Sequence, residues 1–158
     1  MRIAVACDHR GYEAKRRLTP VLKAGGHAVE DFGCDGVAAV DYPDFAAPVA
    51  RAVAEGRADV GILMDGSGIG MCVAANKVRG ARAALVYDHV TARRAREHNH
   101  CNVLCLGSDL LGEDQVRQIV DIFLSTGFGD GRHARRTEKV CKVETEECGP
   151  PPAAKPAG

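Results

Sequence analysis

Four short segments hold residue types that can move protons or grip an anion. Cys7-Asp8-His9 sets a carboxylate beside an imidazole, a pair able to bind hydroxyl groups and pass protons. The same Asp8 could instead cap a following helix. Asp65-Gly66-Ser67-Gly68-Ile69-Gly70 spaces its glycines as Gly-x-Gly-x-Gly. That is neither the dinucleotide fingerprint nor a P-loop. Such glycines let backbone N–H groups turn inward as a nest for a phosphate or an oxyanion, or they simply make a tight strand-to-helix turn. In Glu97-His98-Asn99-His100-Cys101-Asn102, His98 is a candidate catalytic group with Asn99 as its polar neighbour. Adjacent side chains seldom converge on one ion, and no second ligand pair stands at zinc spacing, so no metal is expected. In Gly131-Arg132-His133-Ala134-Arg135-Arg136, Arg132 and Arg136 are four apart and share a helix face. Two guanidinium groups so placed suit a phosphate; the alternative is a solvated basic helix start, mildly disfavoured by the helix dipole.

The elements that must position these segments read as an alternation. Short β-branched runs at Arg2–Cys7, His27–Phe32, Asp59–Met64, Ala81–Val86 and Asn102–Leu106 are expected strands. Between them stand amphipathic stretches: Tyr12–Ala24, Pro43 to about Glu55, Met71–Lys77, Thr91–Glu97, Glu113–Leu124 and Arg132–Glu147. Pro20 should weaken or kink the first helix; Pro43 suits the first turn of the second. Near-continuous apolar strands alternating with helices imply an α/β fold, a five-stranded parallel sheet covered on both faces, with ligands at the carboxyl ends of its strands.

The 158 residues fit one domain, taken as 1–148, followed by a Pro/Ala-rich tail, 149–158, expected to be disordered. The formal net charge is zero, which gives no global attraction to nucleic acid or to a membrane surface. No apolar run approaches the roughly 20 residues of a membrane span, and Met1–Val5 leads straight into a strand rather than a signal peptide. Seven cysteines, an odd number scattered through apolar segments, read as reduced cytoplasmic thiols.

Taken in order, the segments resemble the ribose-5-phosphate isomerase B family, which includes galactose-6-phosphate isomerase subunits. The matching phrases are Cys7-Asp8-His9 with Gly11, Val40-Asp41-Tyr42-Pro43, Asp59-Val60-Gly61-Ile62-Leu63 and Gly66-Ser67-Gly68-Ile69-Gly70. Ala74-Ala75-Asn76-Lys77, Arg96-Glu97-His98-Asn99 and Gly131-Arg132-His133 with Arg136 complete the set, which covers the chain to about residue 147. The resemblance implies a Rossmann-like three-layer sandwich and cofactor-free, metal-free interconversion of an aldose phosphate and a ketose phosphate. The default pair is ribose 5-phosphate and ribulose 5-phosphate, reached through an enediolate. It implies a homodimer, or a pair of such dimers, with active sites drawing on both subunits. By matching position, His98 would open the sugar ring, and Asp8 and His9 would hold the sugar end. Tyr42, Gly66, Gly68 and Gly70 would line the site, with Ser67 and the loop N–H groups stabilising the enediolate. Asn99 would bind hydroxyls, and Arg132, His133 and Arg136 the phosphate.

One position departs from the pattern. Many family members carry a catalytic Cys where this chain has Asp65, and another branch uses a Glu where Met71 stands. Asp65 is therefore the candidate base, with helix capping as its competing role, and Cys72 stands next door. A cap should tolerate Asn, whereas a base should not. Three functions remain open: a ribose 5-phosphate isomerase, an isomerase of another tetrose, pentose or hexose phosphate, and a non-catalytic sugar-phosphate-binding protein.

Overall fold

The computed structural model describes residues 1–147, so the expected tail at 149–158 lies outside the described residues. Five strands, β1 (Arg2–Cys7), β2 (Ala28–Asp31), β3 (Val60–Asp65), β4 (Ala83–Leu85) and β5 (Val103–Gly107), form one parallel sheet in the order β2-β1-β3-β5-β4. Six helices accompany them: α1 (Tyr12–Ala24), α2 (Pro43–Ala54), α3 (Ile69–Ala75), α4 (His89–Asn99), α5 (Glu113–Ser125) and α6 (Arg132–Glu147). The fold is the expected α/β class, with a five-stranded parallel sheet.

Strand alternation sorts the core into two layers. Ile3, Val5, Val60, Ile62, Met64, Leu104 and Leu106 pack with Leu18, Leu22, Ala92, Ala95, Ile119 and Phe123, from α1, α4 and α5. Ala4, Ala6, Leu63, Val103 and Cys105 face the other way, onto α2 and α3 through Val49, Ala50, Val53 and Met71. That second face is built from small residues, which brings α2 close. A Cβ on Gly61 would lie 2.8 Å from Val49 Cγ1 and 3.2 Å from Val103 Cγ2. All six residues of β3 are buried, so its side chains are closed off and only its ends can reach solvent.

Local chemistry shifts several boundaries. α1 runs unbroken through Pro20, contrary to the expected weakening. Pro20 lies on the exposed side, where water can take the carbonyl the proline leaves unpaired, while Leu18 and Leu22 anchor the buried face. α4 begins two residues early because Asp88 caps it: Thr91 N donates to Asp88 Oδ1 at 2.7 Å. α3 ends at Ala75 because the Asn76 side chain turns to β4. There its Nδ2 donates to Ala83 O and its Oδ1 accepts from Ala83 N, each at 2.9 Å. α6 buries no residue and packs on α4; its Glu144 accepts from Gly80 N at 2.9 Å.

The close approach at Gly61 yields a stability test. Gly61→Val should cost about 1–3 kcal/mol by overpacking against Val49 and Val103, seen as a lower urea midpoint with unchanged slope.

Candidate active site

The carboxyl ends of β1 and β3 bring two carboxylates together. Cys7 pairs with Met64 in the β1–β3 register, and Asp8 N donates to Met64 O at 3.1 Å, so Asp8 stands beside Asp65. Both are buried, at 7% and 5% exposure. Each holds the turn that follows it. Asp8 Oδ1 accepts from Arg10 N at 2.8 Å and Gly11 N at 3.0 Å. Asp65 Oδ1 accepts from Ser67 N at 2.8 Å and from Gly68 N, and its Oδ2 accepts from Met71 N at 3.0 Å. A carboxylate offers about four acceptor positions, and three of Asp65's are therefore occupied by the glycine loop and the first turn of α3. The second oxygen of Asp8 differs. It has no hydrogen-bond partner among the described residues, yet it is not sealed from solvent.

The rest of the loop is fixed from several sides. Gly68 adopts φ +80°, a left-handed conformation that suits glycine and starts α3. The Ser67 hydroxyl accepts from Ile69 N at 3.2 Å. A Cβ on Gly70 would lie 2.9 Å from Tyr42 Cζ, so the Tyr42 ring lies against the loop. His9 Nδ1 accepts from Val40 N at 3.3 Å, which places the proton of the neutral ring on Nε2. Asp8, His9, Tyr42, Asp65, Gly66, Ser67, Gly68 and Gly70 thus share one edge.

Four neighbours went unnoticed in the sequence. The Tyr87 hydroxyl donates to Ser67 O at 2.8 Å. Arg10 Nε donates to Asp109 Oδ2 at 2.8 Å, and the pair stands over Gly66. The Ser108 hydroxyl donates to Asp65 O at 2.8 Å. These residues follow β4, β1 and β5, so the strand-end rule was the only signal that could have found them.

The other predicted residues lie elsewhere in the same chain. His98 and Asn99 end α4, which runs back from the end of β4 toward the start of β5. At ~1.5 Å per residue its 11 residues carry them about 16 Å from the carboxyl edge. There the His98 ring stacks on His133, with centroids 4.1 Å apart and planes 9° from parallel. The stack depends on the turn before α6, where Gly129 N donates to Glu97 O at 2.8 Å. A groove runs past it, lined by His98, Asn99, His133 and Arg136, with Lys77 and Arg79 among the residues of its other wall. Desolvation, together with the neighbouring His98, Arg132 and Arg136, lowers the pKa of His133 from its ordinary value. Arg132 Nε approaches His133 Nε2 at 3.5 Å. Cys72, the alternative thiol, points to the start of β4, with its Sγ 3.5 Å from Ala83 O. Contact with the Cys105 thiol, partly opposed by burial, lowers Cys72 to about 7.

An open parallel sheet with a glycine loop and two carboxylates at its strand ends defines a Rossmann-like α/β protein built to bind a small polar ligand. Residues 3–140 match the ribose/galactose isomerase family, and the chain belongs to that family of sugar isomerases. It is 39% identical over 143 residues to ribose-5-phosphate isomerase B of Escherichia coli K12, covering 90% of this chain and 96% of that protein. The solved ribose-5-phosphate isomerase B of Clostridium thermocellum superposes with a TM-score of 0.91 at 45% identity, covering 92% of this chain and 99% of the other. A Mycoplasma genitalium ribose-5-phosphate isomerase B, solved with bound ribulose-5-phosphate, gives a TM-score of 0.88 at 44% identity, covering 92% and 97%.

The contacts of Asp65 correct the expectation that Asn would serve there as well as Asp. An Asn amide would turn either an NH2 toward Met71 N–H or two backbone N–H groups toward an NH2, leaving buried donors unpaired. Asp65→Asn should therefore lose about 1–3 kcal/mol of stability. Asp8→Asn, whose amide can occupy the unpartnered side, should be close to neutral in the same chemical denaturation experiment.

Proposed function

We propose that this isomerase interconverts ribose 5-phosphate and ribulose 5-phosphate through an enediolate. The observation that carries the reading is the glycine loop held by Asp65 beside the adjacent carboxylate of Asp8 at the strand ends, in a chain 44% identical to a protein solved with ribulose-5-phosphate. Isomerisation needs a group to carry a proton between carbons 2 and 1, and donors aimed at the oxygen that becomes negative. Ser67 and the loop N–H groups not turned onto Asp65 are the donors, and a strand-end carboxylate carries the proton. Asp8, His9 and Tyr42 hold the sugar, His98 opens its ring and Asn99 binds its hydroxyls. Arg132, His133 and Arg136 take the phosphate, whose binding energy keeps the reacting carbons in place. The working compartment is the cytoplasm, which suits the neighbouring free thiols Cys7 and Cys34, 3.9 Å apart.

The two groups of residues lie toward opposite ends of one sheet, so each working site joins the loop edge of one protomer to the His98–Arg136 groove of a second copy. The protein is accordingly a homodimer, alone or paired into a dimer of dimers. Exposed apolar pairs flank both regions: Ile69 and Val73 on α3, at 53% and 54% exposure, and Val140 and Val143 on α6, both at 57%. These suit burial against a partner.

The direct test offers purified enzyme a panel of tetrose, pentose and hexose phosphates and follows ketose formation. The fastest turnover is expected with ribose 5-phosphate; a faster tetrose or hexose phosphate would reassign the substrate, and no product from any would refute the reading. Arg136→Ala should weaken sugar-phosphate binding about 10- to 100-fold in calorimetry while leaving the melting temperature near that of the parent. Sedimentation should show a dimer; a monomer turning over at full rate would remove the shared site.

A further inference from the structure

We propose that Asp8 is the residue that carries the proton between the reacting carbons, and that Asp65 serves instead to hold the loop. This rests on the isomerisation proposed above. Five groups at the loop edge carry oxygen or nitrogen acceptors of the right kind; Asp109 is held in an ion pair by Arg10, and contacts separate the other four. Asp65 gives three acceptor positions to backbone N–H groups, and protonating it would put a hydrogen among donors that already converge there. His9 accepts from Val40 N through Nδ1, so its outward Nε2 bears a proton and acts as a donor. Ser67 Oγ is engaged by Ile69 N, and a neutral hydroxyl is a weak base. Asp8 alone of the four is a carboxylate with one oxygen that accepts no hydrogen bond among the described residues. Oδ1 is fixed by Arg10 N and Gly11 N, while Oδ2 has no partner among the described residues, in a residue only 7% exposed.

The placement suits the step. Asp8 follows β1 and Asp65 follows β3 on neighbouring strands, so Oδ2 of Asp8 belongs to the same strand-end edge as the N–H groups that would face the substrate oxygens. The two N–H bonds to Oδ1 hold the carboxylate in one orientation, which is what a proton carrier requires. In the open-chain aldose phosphate, Oδ2 takes the hydrogen of carbon 2 as a proton. The pair of that C–H bond becomes the second bond between carbons 1 and 2, and the carbonyl pair moves onto the carbon 1 oxygen. The hydroxyl on carbon 2 then passes its proton to that oxygen. Finally the carbon 2 oxygen reforms a carbonyl while carbon 1 takes back the proton held on Asp8. Atoms and electrons balance with no co-reactant.

The experiment compares the full-length parent with Asp8→Asn on ribose 5-phosphate, alongside calorimetric affinity and melting temperature. Asn keeps the acceptor for Arg10 N and Gly11 N but cannot take a proton. Expected are parental melting, affinity within a few-fold, and a kcat lower by ~10²–10⁴-fold. With substrate deuterated at carbon 2, the variant should show a larger primary isotope effect than the parent, because the C–H step has become limiting. A purely structural or binding role would instead change melting or affinity and leave the isotope effect alone. An Asp8→Asn enzyme that binds normally and turns over within tenfold of the parent overturns the assignment while the isomerase reading stands. A parent that makes no ketose from any sugar phosphate overturns both. Should Asp8→Asn fail to fold, Asp8→Ala assayed with added formate decides. Rescue by formate supports the proposal, and a folded Asp8→Ala with undiminished turnover rejects it.

Discussion

The burial of β3 on both faces governs the placement of everything else in the molecule. Val60 to Asp65 runs through the middle of a parallel sheet with α1, α4 and α5 on one side and α2 and α3 on the other. A strand so enclosed can present nothing from its faces, so polar groups reach solvent only where it stops. Gly61 sharpens this constraint, since its missing side chain lets α2 settle against the sheet and shield that face. Chemistry at the strand ends is the geometrical consequence of a core sealed in two directions.

At those ends the chain must turn sharply from strand to helix, and each turn exposes N–H groups that need partners. Asp8 and Asp65 meet this need in the same way, each folding a carboxylate back under its own turn. The difference lies in how many N–H groups each turn supplies. The glycine loop, with Gly68 in a left-handed conformation, brings three onto Asp65, whereas the turn after β1 brings two onto a single oxygen of Asp8. One extra backbone contact therefore separates a carboxylate held through both oxygens from one held through a single oxygen. The ring of contacts around the loop, from Tyr42, Tyr87, Ser108 and the Arg10–Asp109 pair, makes its shape a property of four strand ends together.

The separation of the His98–Arg136 groove from the loop also follows from the fold. A helix after a parallel strand must return to the opposite end of the sheet, and His98 and Asn99 ride on the last turn of such a helix. α6 adds His133 and Arg136 at that same far end because it packs on α4. Exposed apolar residues of α3 and α6 stand beside the two regions, where the proposed second copy would cover them.

Much of this was legible in the sequence. The alternation of β-branched runs with amphipathic stretches carries its own period, so element type, parallel pairing and the strand-end position of Asp8 and Asp65 follow from local pattern. The ordered motifs carried the family. Boundaries were less certain where a side chain decided them, as Asp88 did for α4 and Asn76 for α3. The survival of α1 through Pro20 depended on which side of the helix met water. The sequence left Asp65 with two roles, base or cap, because residue type sets what a side chain can do but not which N–H groups converge on it. Tyr87, Arg10 and Asp109 carry no motif, and they join the loop only because β1, β3, β4 and β5 end at one edge. Those contacts span up to 99 residues of chain, a distance over which local pattern holds no information and only packing decides.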